Sequence, residues 1–235
     1  MRSCLVQLLI LVGLVFGLLW FGLPLGAGWL VTNALNAVGF SGTATRVDVS
    51  ANPPFRLLAG QADSVRIVST QVSVGDLHAA SMDLTESQVD LISRHIETVD
   101  AQLTQVRVVS SSGDAVTVDA VALSGQASTA TAELSLSIAE AQKLAESELA
   151  DHGVPGTVVL APPNRVTIKT GGKSVPAHLD ARDGSLVLVP DVTQLAPITL
   201  LAPGSGNPFQ VTAVSIAASG ATLTGTIDVQ SLLGV

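Results

Sequence analysis

The residue types that most often carry out chemistry are few in this chain and stand apart from one another. The sequence has four histidines and a single cysteine, Cys4. None of His78, His95, His152 and His178 has another ligand at metal-site spacing, and one thiol supports neither an internal disulfide nor a thiolate metal site. The sequence therefore predicts no metal and no cofactor, and it assigns the histidines to the surface or to helix capping.

Motifs for nucleophilic or phosphate chemistry are also missing. No serine lies in a Gly-x-Ser-x-Gly elbow. Gly172-Lys173-Ser174 resembles the end of a phosphate-binding loop, but the upstream glycine spacing is absent and the segment suits a β-hairpin. The acidic residues form no recognisable catalytic pair. We predict no catalytic residues and no enzyme; an exported hydrolase, the least favoured alternative, would show an activity that depends on His95 or His152.

An apolar segment at the N-terminus predicts where the rest of the chain resides. Residues 5–31 carry no charged side chain, and about 20 apolar residues span a bilayer. Arg2 precedes the run and Arg46 is the next basic residue, so the positive-inside rule places the N-terminus in the cytoplasm. A cleavable signal with Gly26-Ala27-Gly28 near its cleavage site is the alternative. Either way, residues 1–31 form a membrane anchor or signal segment, and residues 32–235 form an exported domain.

The composition limits the partners of that domain. Charged residues make up 13% of the chain and hydrophobic residues 47%, with a net charge of −8. No basic patch is present, so we expect no nucleic acid partner. A domain this poor in charge either buries an unusually apolar sheet or offers apolar surface to a ligand or a membrane. Apolar contact must supply most of any affinity for lipid, because an acidic chain gets no electrostatic help from anionic headgroups.

The pattern of the domain predicts a β-rich fold with one clear helix. Apolar and polar residues alternate in many segments, as at Val166 and Ile168, and Asp183-Gly184 is a strong hairpin signal. Ser137 and Glu140 fit a capping box at the start of a helix over residues 138–150, which Gly153 can end. We expect this helix to cover a sheet. Its outer face is expected to carry Glu140, Lys143, Glu146 and Glu148.

Some predicted strands are apolar on both of their alternating phases. Leu186-Val187-Leu188-Val189 and Leu200-Leu201 are examples. Such a strand either buries both faces within the protein or buries one and offers the other to a hydrophobic ligand. Both interpretations remain open from the residues alone.

Several segments resemble the LmeA-type phospholipid-binding proteins of actinobacterial cell envelopes. The segment Pro54-Phe55-Arg56-Leu57-Leu58-Ala59-Gly60, followed by Asp63-Ser64-Val65-Arg66-Ile67, is similar to the opening of that family, and Asp183-Gly184-Ser185-Leu186-Val187-Leu188-Val189-Pro190 is similar to a later part. The Ser50-Ala51-Asn52-Pro53 approach departs from the glycine-rich one usual there. The resemblance implies an exported, membrane-associated protein that binds phospholipid, supports lipoglycan assembly and has no demonstrated catalysis.

We therefore predict an α+β fold: an N-terminal transmembrane helix, then an elongated, curved antiparallel β-sheet packed on the amphipathic helix, as in tubular lipid-binding domains. The protein would be single-pass in the cell membrane, with its body on the periplasmic or cell-wall side, and would hold acyl chains in an apolar groove. A scaffolding envelope protein with a self-covered sheet is the alternative. The candidate lipid-binding residues, each equally compatible with core packing, are Phe55, Leu57, Leu58, Val65, Ile67, Leu144, Leu149, Phe209 and Val211.

Overall fold

The computed structural model describes most of the chain after residue 39. The described residues are 40–52, 54–74, 77–90, 93, 95–109, 115–192, 195–204 and 209–232. The predicted membrane segment, residues 1–31, lies outside them. None of the helices within the described ranges combines the length and the apolar character needed to cross a bilayer.

Thirteen strands and three short helical segments make up the described part of the chain, and the predicted β-rich character is confirmed. The strands are β1 (Phe40–Ser50), β2 (Gln61–Val74), β3 (Leu77–Asp90), β4 (His95–Val109), β5 (Ala115–Gln126), β6 (Ala130–Leu136), β7 (Thr157–Ala161), β8 (Arg165–Thr170), β9 (Lys173–Arg182), β10 (Ser185–Pro190), β11 (Ile198–Leu201), β12 (Gln210–Ala217) and β13 (Gly220–Ile227). The helices are a 3-10 helix (Pro54–Ala59), α1 (Ile138–Asp151) and α2 (Val229–Leu232).

These strands form two antiparallel sheets, whereas the sequence predicted one. The first has eight strands in the order β1-β2-β3-β4-β5-β6-β13-β12, and the second has five in the order β11-β10-β9-β8-β7. The chain leaves the first sheet after β6, crosses through α1, builds the second sheet, and returns with β12 and β13 beside β6. Alternation along a strand records which residues are buried but not which strand is its neighbour, so the division into two sheets was not readable from the pattern.

The predicted turn at Asp183-Gly184 and the serine half of the predicted capping box are confirmed, whereas the Glu140 side chain bonds to Thr117 and not to the cap. Asp183 and Gly184 both have positive φ, 50° and 76°, as the tight turn between β9 and β10 requires. Ser137 caps α1 by accepting a hydrogen bond from the backbone N of Glu140 at 3.2 Å. Gly153, with φ of 77°, ends the helix. Gly172-Lys173-Ser174 belongs to the β8–β9 hairpin, which is the structural reading given to it above.

Long strands of the first sheet change phase at residues with left-handed backbone. On β3, Leu84 and Glu86 are buried at alternate positions, yet the next buried residue is Val89. Gln88 between them has φ of 51°, and Gln71 on β2 and Gln105 on β4 have φ of 50° and 48°. Each of these glutamines is an extra exposed residue in the alternating pattern, so the buried residues before and after it stay on the same face of the sheet. Such irregularities bend and twist a sheet locally.

Relief of this backbone strain is testable at Gln88. A non-glycine residue in the left-handed region costs about 1 kcal/mol that glycine avoids. We expect Gln88→Gly to leave the free energy of unfolding unchanged or to raise it by up to about 1 kcal/mol. Gln102→Gly, at an exposed position of β4 without positive φ, should lower it by about 1 kcal/mol. Urea denaturation gives the free energy of unfolding of both variants. An equal decrease in the two would contradict backbone strain at Gln88.

Candidate functional site

One face of helix α1 points into the space between the two sheets. Ala141, Leu144, Ala145 and Glu148 recur at the three- and four-residue spacing that puts side chains on a single helical face, and all four line one cavity. Two of the four are alanines. Small side chains at these positions leave unfilled the space that larger ones would occupy.

The cavity has a volume of about 140 Å³, and together with its open mouth the empty space is about 1080 Å³. Almost all of its lining is aliphatic, and Glu148 and Thr222 are the polar members. An aliphatic cavity of this size is large enough for a benzene-sized molecule. The lining residues are Val116, Val118, Leu134, Leu136, Ala141, Leu144, Ala145, Glu148, Leu160, Leu179, Leu186, Leu200, Leu201, Val214, Ala221, Thr222 and Leu223.

Three polar side chains of α1 hold the helix between the sheets. The Glu140 carboxylate accepts a hydrogen bond from the backbone N of Thr117 on β5 at 3.1 Å. Lys143 donates from Nζ to the backbone O of Ala115 at 2.5 Å. On the other side, Glu146 Oε1 accepts from the backbone N of Val158 on β7 at 2.8 Å. The helix therefore bonds to the backbone of both sheets.

The prediction that Glu140, Lys143, Glu146 and Glu148 form the solvent-facing side of the helix is wrong for the three glutamates. Glu140, Glu146 and Glu148 are half-buried, and Lys143 alone of the four is exposed. Residues 115–119 of β5 extend past the segment that pairs with β6, and β7 is the last strand of the second sheet. Both therefore have backbone groups without a strand partner, which side-chain carboxylates and an ammonium can satisfy.

Glu148 is the ionisable group of the cavity wall. Burial raises the pKa of its carboxyl above the ordinary value, with a smaller contribution from the negative charge of Asp151. Burial therefore makes this carboxyl easier to protonate than that of an exposed glutamate. Among the residues that line the cavity, Glu148 is the one whose charge can change with pH.

The aliphatic lining is one end of a longer apolar face of the first sheet. From the cavity, Leu134 on β6 pairs in register with Val121 on β5, then with Leu103 on β4 and Met82 on β3. Side chains opposite one another in a ladder lie on the same face. Each of these four is buried, with at most 4% of its surface exposed.

Glu86 interrupts this apolar face with a carboxyl group. It lies on β3 between Val65 on β2 and Val99 on β4, and its side chain is fully buried. Neither oxygen has a hydrogen-bond partner among the described residues. Burial raises its pKa well above the ordinary value. Buried polar groups without a partner are rare in native proteins, because each costs free energy.

Six of the nine candidate residues lie in three separate places. Leu144 lines the cavity. Val65 and Ile67 lie on the buried face of β2, away from the cavity wall. Leu57 packs half-buried against the core from the 3-10 helix, to which Phe55 and Leu58 also belong, although their side chains lie outside the described part of the structure.

The remaining three candidates have packing roles. Leu149 is buried at the end of α1. The ring of Phe209, also fully buried, lies where a side chain on Gly225 would stand. Val211 is buried on β12, and its backbone N bonds to the backbone O of Gly184 at 2.8 Å, which ties the first sheet to the β9–β10 turn.

Sequence reasoning missed most of the wall contributed by the second sheet. Leu160, Leu179, Leu186, Leu200 and Leu201 all face the cavity. The signal was present in the doubly apolar strands, since β10 buries Val187 and Leu188 on opposite phases. The pattern could not show that one set of alternating residues on these strands faces the cavity beneath α1.

Other polar clusters of the described residues are small. His178 Nδ1 lies 2.8 Å from Asp191 Oδ1, and His95 Nδ1 lies 3.0 Å from the amide of Gln230. Within the described ranges no three histidine, aspartate, glutamate or cysteine side chains are placed to share a metal ion. The cavity and the adjoining face, with Glu86 on it, are therefore the features that a candidate function must use.

The bond from α1 to the second sheet can be tested at Glu146. In Glu146→Ala the backbone N of Val158, a residue only 3% exposed, loses its acceptor. We expect the free energy of unfolding to fall by about 1–3 kcal/mol. Gln142→Ala changes a half-buried position of the same helix and should change the free energy of unfolding by less than about 0.5 kcal/mol. An equal loss in both variants would show that the loss of side-chain contacts on the helix, not the bond to Val158, sets the effect.

The buried Glu86 carboxyl predicts a pH dependence of stability. Its raised pKa means that the folded chain holds a proton the unfolded chain releases above the ordinary value of 4.5. Stability therefore falls as pH rises from 4.5 to the raised folded pKa, by about 1.4 kcal/mol per pH unit, and is unaffected outside that window. Glu86→Gln removes this slope. Urea denaturation at acidic and neutral pH measures it, with exposed Glu133→Gln as the matched control; a slope unchanged in Glu86→Gln would contradict the assignment.

Comparisons of the chain with protein-family models, curated proteins and solved structures gave no match. The function proposed below is accordingly supported by the cavity, its position between the sheets and the chemistry of its lining.

Proposed function

We propose that this protein is a non-enzymatic, lipid-binding protein of the cell envelope, anchored by its N-terminal segment and similar in role to the LmeA-type phospholipid-binding proteins. Its ligand is a phospholipid or another acyl lipid, and its task is to support envelope lipid or lipoglycan assembly. The body lies on the outer side of the membrane. The observation that carries the proposal is the open, almost wholly aliphatic cavity beneath α1.

Burial of methylene groups supplies the affinity. Each methylene moved from water into an apolar site contributes about 0.8 kcal/mol. A cavity of about 140 Å³ takes a segment of one acyl chain, and the rest of the lipid lies at the open mouth. With a net charge of −8, the protein gains nothing from attraction to anionic headgroups, so binding depends on the chains.

The polar edge of the cavity is compatible with a phosphate-bearing lipid. A carboxylate at Glu148 would repel a phosphate, and burial weakens this repulsion because it raises the pKa of the group and makes it easier to protonate. Thr222 adds a hydroxyl to the same wall. The lipid headgroup would remain in the mouth, where water solvates it, while the chain enters between the sheets.

The proposal predicts opposite effects of one substitution on stability and on binding. Ala145→Phe fills the cavity from α1, so we expect the melting temperature to rise or stay constant while bound lipid falls at least about tenfold. Ala139→Phe places the same side chain at an exposed position of the helix and should leave lipid binding unchanged. The full chain is purified in a detergent that contains no phospholipid and is then incubated with phosphatidylethanolamine. Native mass spectrometry of the chain after release from the detergent counts the bound lipid.

Two outcomes would count against this function. Equal lipid on Ala145→Phe and on the wild-type chain would place the lipid elsewhere than in the cavity. A wild-type chain that takes up no lipid under any of these conditions would favour the scaffolding alternative, in which the sheets serve protein partners. A folded Ala139→Phe control excludes a general effect of an added phenylalanine on α1.

A further inference from the structure

The cavity has a closed end and an open mouth, which the exposure of its lining residues distinguishes. The lining side chains on β5, β6, β7 and β9 are buried, whereas those on β10, β11, β12 and β13 are half-buried. The same change occurs along α1, where Ala141 is buried and Leu144, Ala145 and Glu148 are half-buried. The mouth is therefore bounded by these last four strands and by the C-terminal half of α1.

Glu148 lies at this mouth, because its half-buried side chain lines the cavity and also reaches solvent. The other charged side chains of the helix, those of Glu140, Lys143 and Glu146, bond to the backbone of the sheets. The Glu148 carboxyl has no hydrogen-bond or ion-pair partner among the described residues. A partly desolvated carboxylate is stabilised by a nearby cation or hydrogen-bond donor. A ligand that brings one to the mouth would therefore bind more tightly than a ligand without one.

The charges around Glu148 also favour a cation there. Asp151 and His152 follow it at the exposed end of α1 and act on it electrostatically. The last turn of the helix has no basic residue, and its carbonyl groups carry the negative end of the helix dipole. Strands β7, β10, β11, β12 and β13 contain no ionisable residue. Asp119 on β5 and Glu133 on β6 each adjoin a cavity-lining residue, so their side chains point to the other face of the sheet.

We propose that Glu148 determines the headgroup specificity of the cavity, and that the bound lipid carries an ammonium group that pairs with this carboxylate at the mouth while an acyl chain fills the cavity. This inference rests on the proposed function and narrows its ligand to zwitterionic lipids of the phosphatidylethanolamine type. Anionic lipids and free fatty acids bring only negative charge to the carboxylate, so they bind more weakly. Lipids with the same chains make the same apolar contacts, and the headgroup alone decides between them.

The test is a competition between phosphatidylethanolamine and phosphatidylglycerol with identical acyl chains. The full chain in detergent is incubated with equal amounts of both lipids, and native mass spectrometry counts each bound lipid. We expect the wild-type chain at neutral pH to prefer phosphatidylethanolamine by about fivefold, the contribution of one partly exposed ion pair. Glu148→Gln should abolish the preference, and Glu148→Lys should reverse it.

Glu133→Gln is the matched control, because it removes the same unit of charge from an exposed position on the other face of β6. The control should keep the preference of the wild-type chain. A loss as large as that in Glu148→Gln would show that the net charge of the protein, not the mouth of the cavity, selects the lipid, and would overturn the inference.

A second measurement covers the case in which the Glu148 variants do not fold. Burial raises the pKa of the Glu148 carboxyl above its ordinary value of 4.5, and protonation removes the charge that attracts an ammonium group. The preference of the wild-type chain should therefore decline as the pH falls from neutral to about 4. His152 gains a positive charge over the same range, so His152→Asn is measured beside the wild-type chain and should show the same decline.

The outcomes separate this inference from the proposed function. A wild-type chain that binds both lipids equally, or prefers phosphatidylglycerol, overturns the inference and leaves the proposed function intact. A folded Glu148→Gln chain that keeps the preference also overturns it, as does a wild-type preference that is constant with pH. A wild-type chain that binds neither lipid overturns the proposed function itself.

Discussion

The backbone N–H groups of Thr117 and Val158 belong to different sheets, and each donates to a carboxylate of the same helix. Each lies where strand pairing is incomplete, so a buried donor would otherwise be left without an acceptor. Glu140 and Glu146 supply the acceptors and thereby set the separation of the sheets, while Lys143 adds a bond to the backbone of β5. The cavity exists because α1 is held at this separation with two alanines, Ala141 and Ala145, facing inward.

Two features of this arrangement work against stability. The cavity opens to water at its mouth, so part of its aliphatic wall stays solvated in the empty protein. The unpaired, fully buried carboxyl of Glu86 costs about 1–3 kcal/mol, which is a sizeable part of the net stability of a typical domain. An acyl chain that entered the cavity would relieve the first of these costs and leave the second.

Much of the local structure could be predicted, because its causes are local. The Asp183-Gly184 turn, the Ser137 cap and the glycine end of α1 at Gly153 depend on residues within a few positions of one another. The capping box shows the limit of prediction from local sequence. Ser137 accepts from the Glu140 backbone as expected, but the Glu140 side chain bonds to Thr117, 23 residues earlier in the chain. Similarly, the phase changes at Gln71, Gln88 and Gln105 break the alternation in a readable way, yet their effect on the sheet depends on neighbouring strands.

By itself, the sequence determined the strand-rich character, a helix predicted over residues 138–150 and found over Ile138–Asp151, and the excess of apolar residues, since periodicity and turn chemistry act over short distances. Of the nine residues that it proposed for lipid contact, Leu144 lines the cavity, while Leu149, Phe209 and Val211 pack the core. Tertiary structure alone decided that β12 and β13 return to pair beside β6, that five strands form a second sheet, and that Glu86 has Val65 and Val99 as neighbours. The physical reason is that an apolar side chain is equally favourable against any apolar surface, so burial patterns specify which residues are covered but not what covers them.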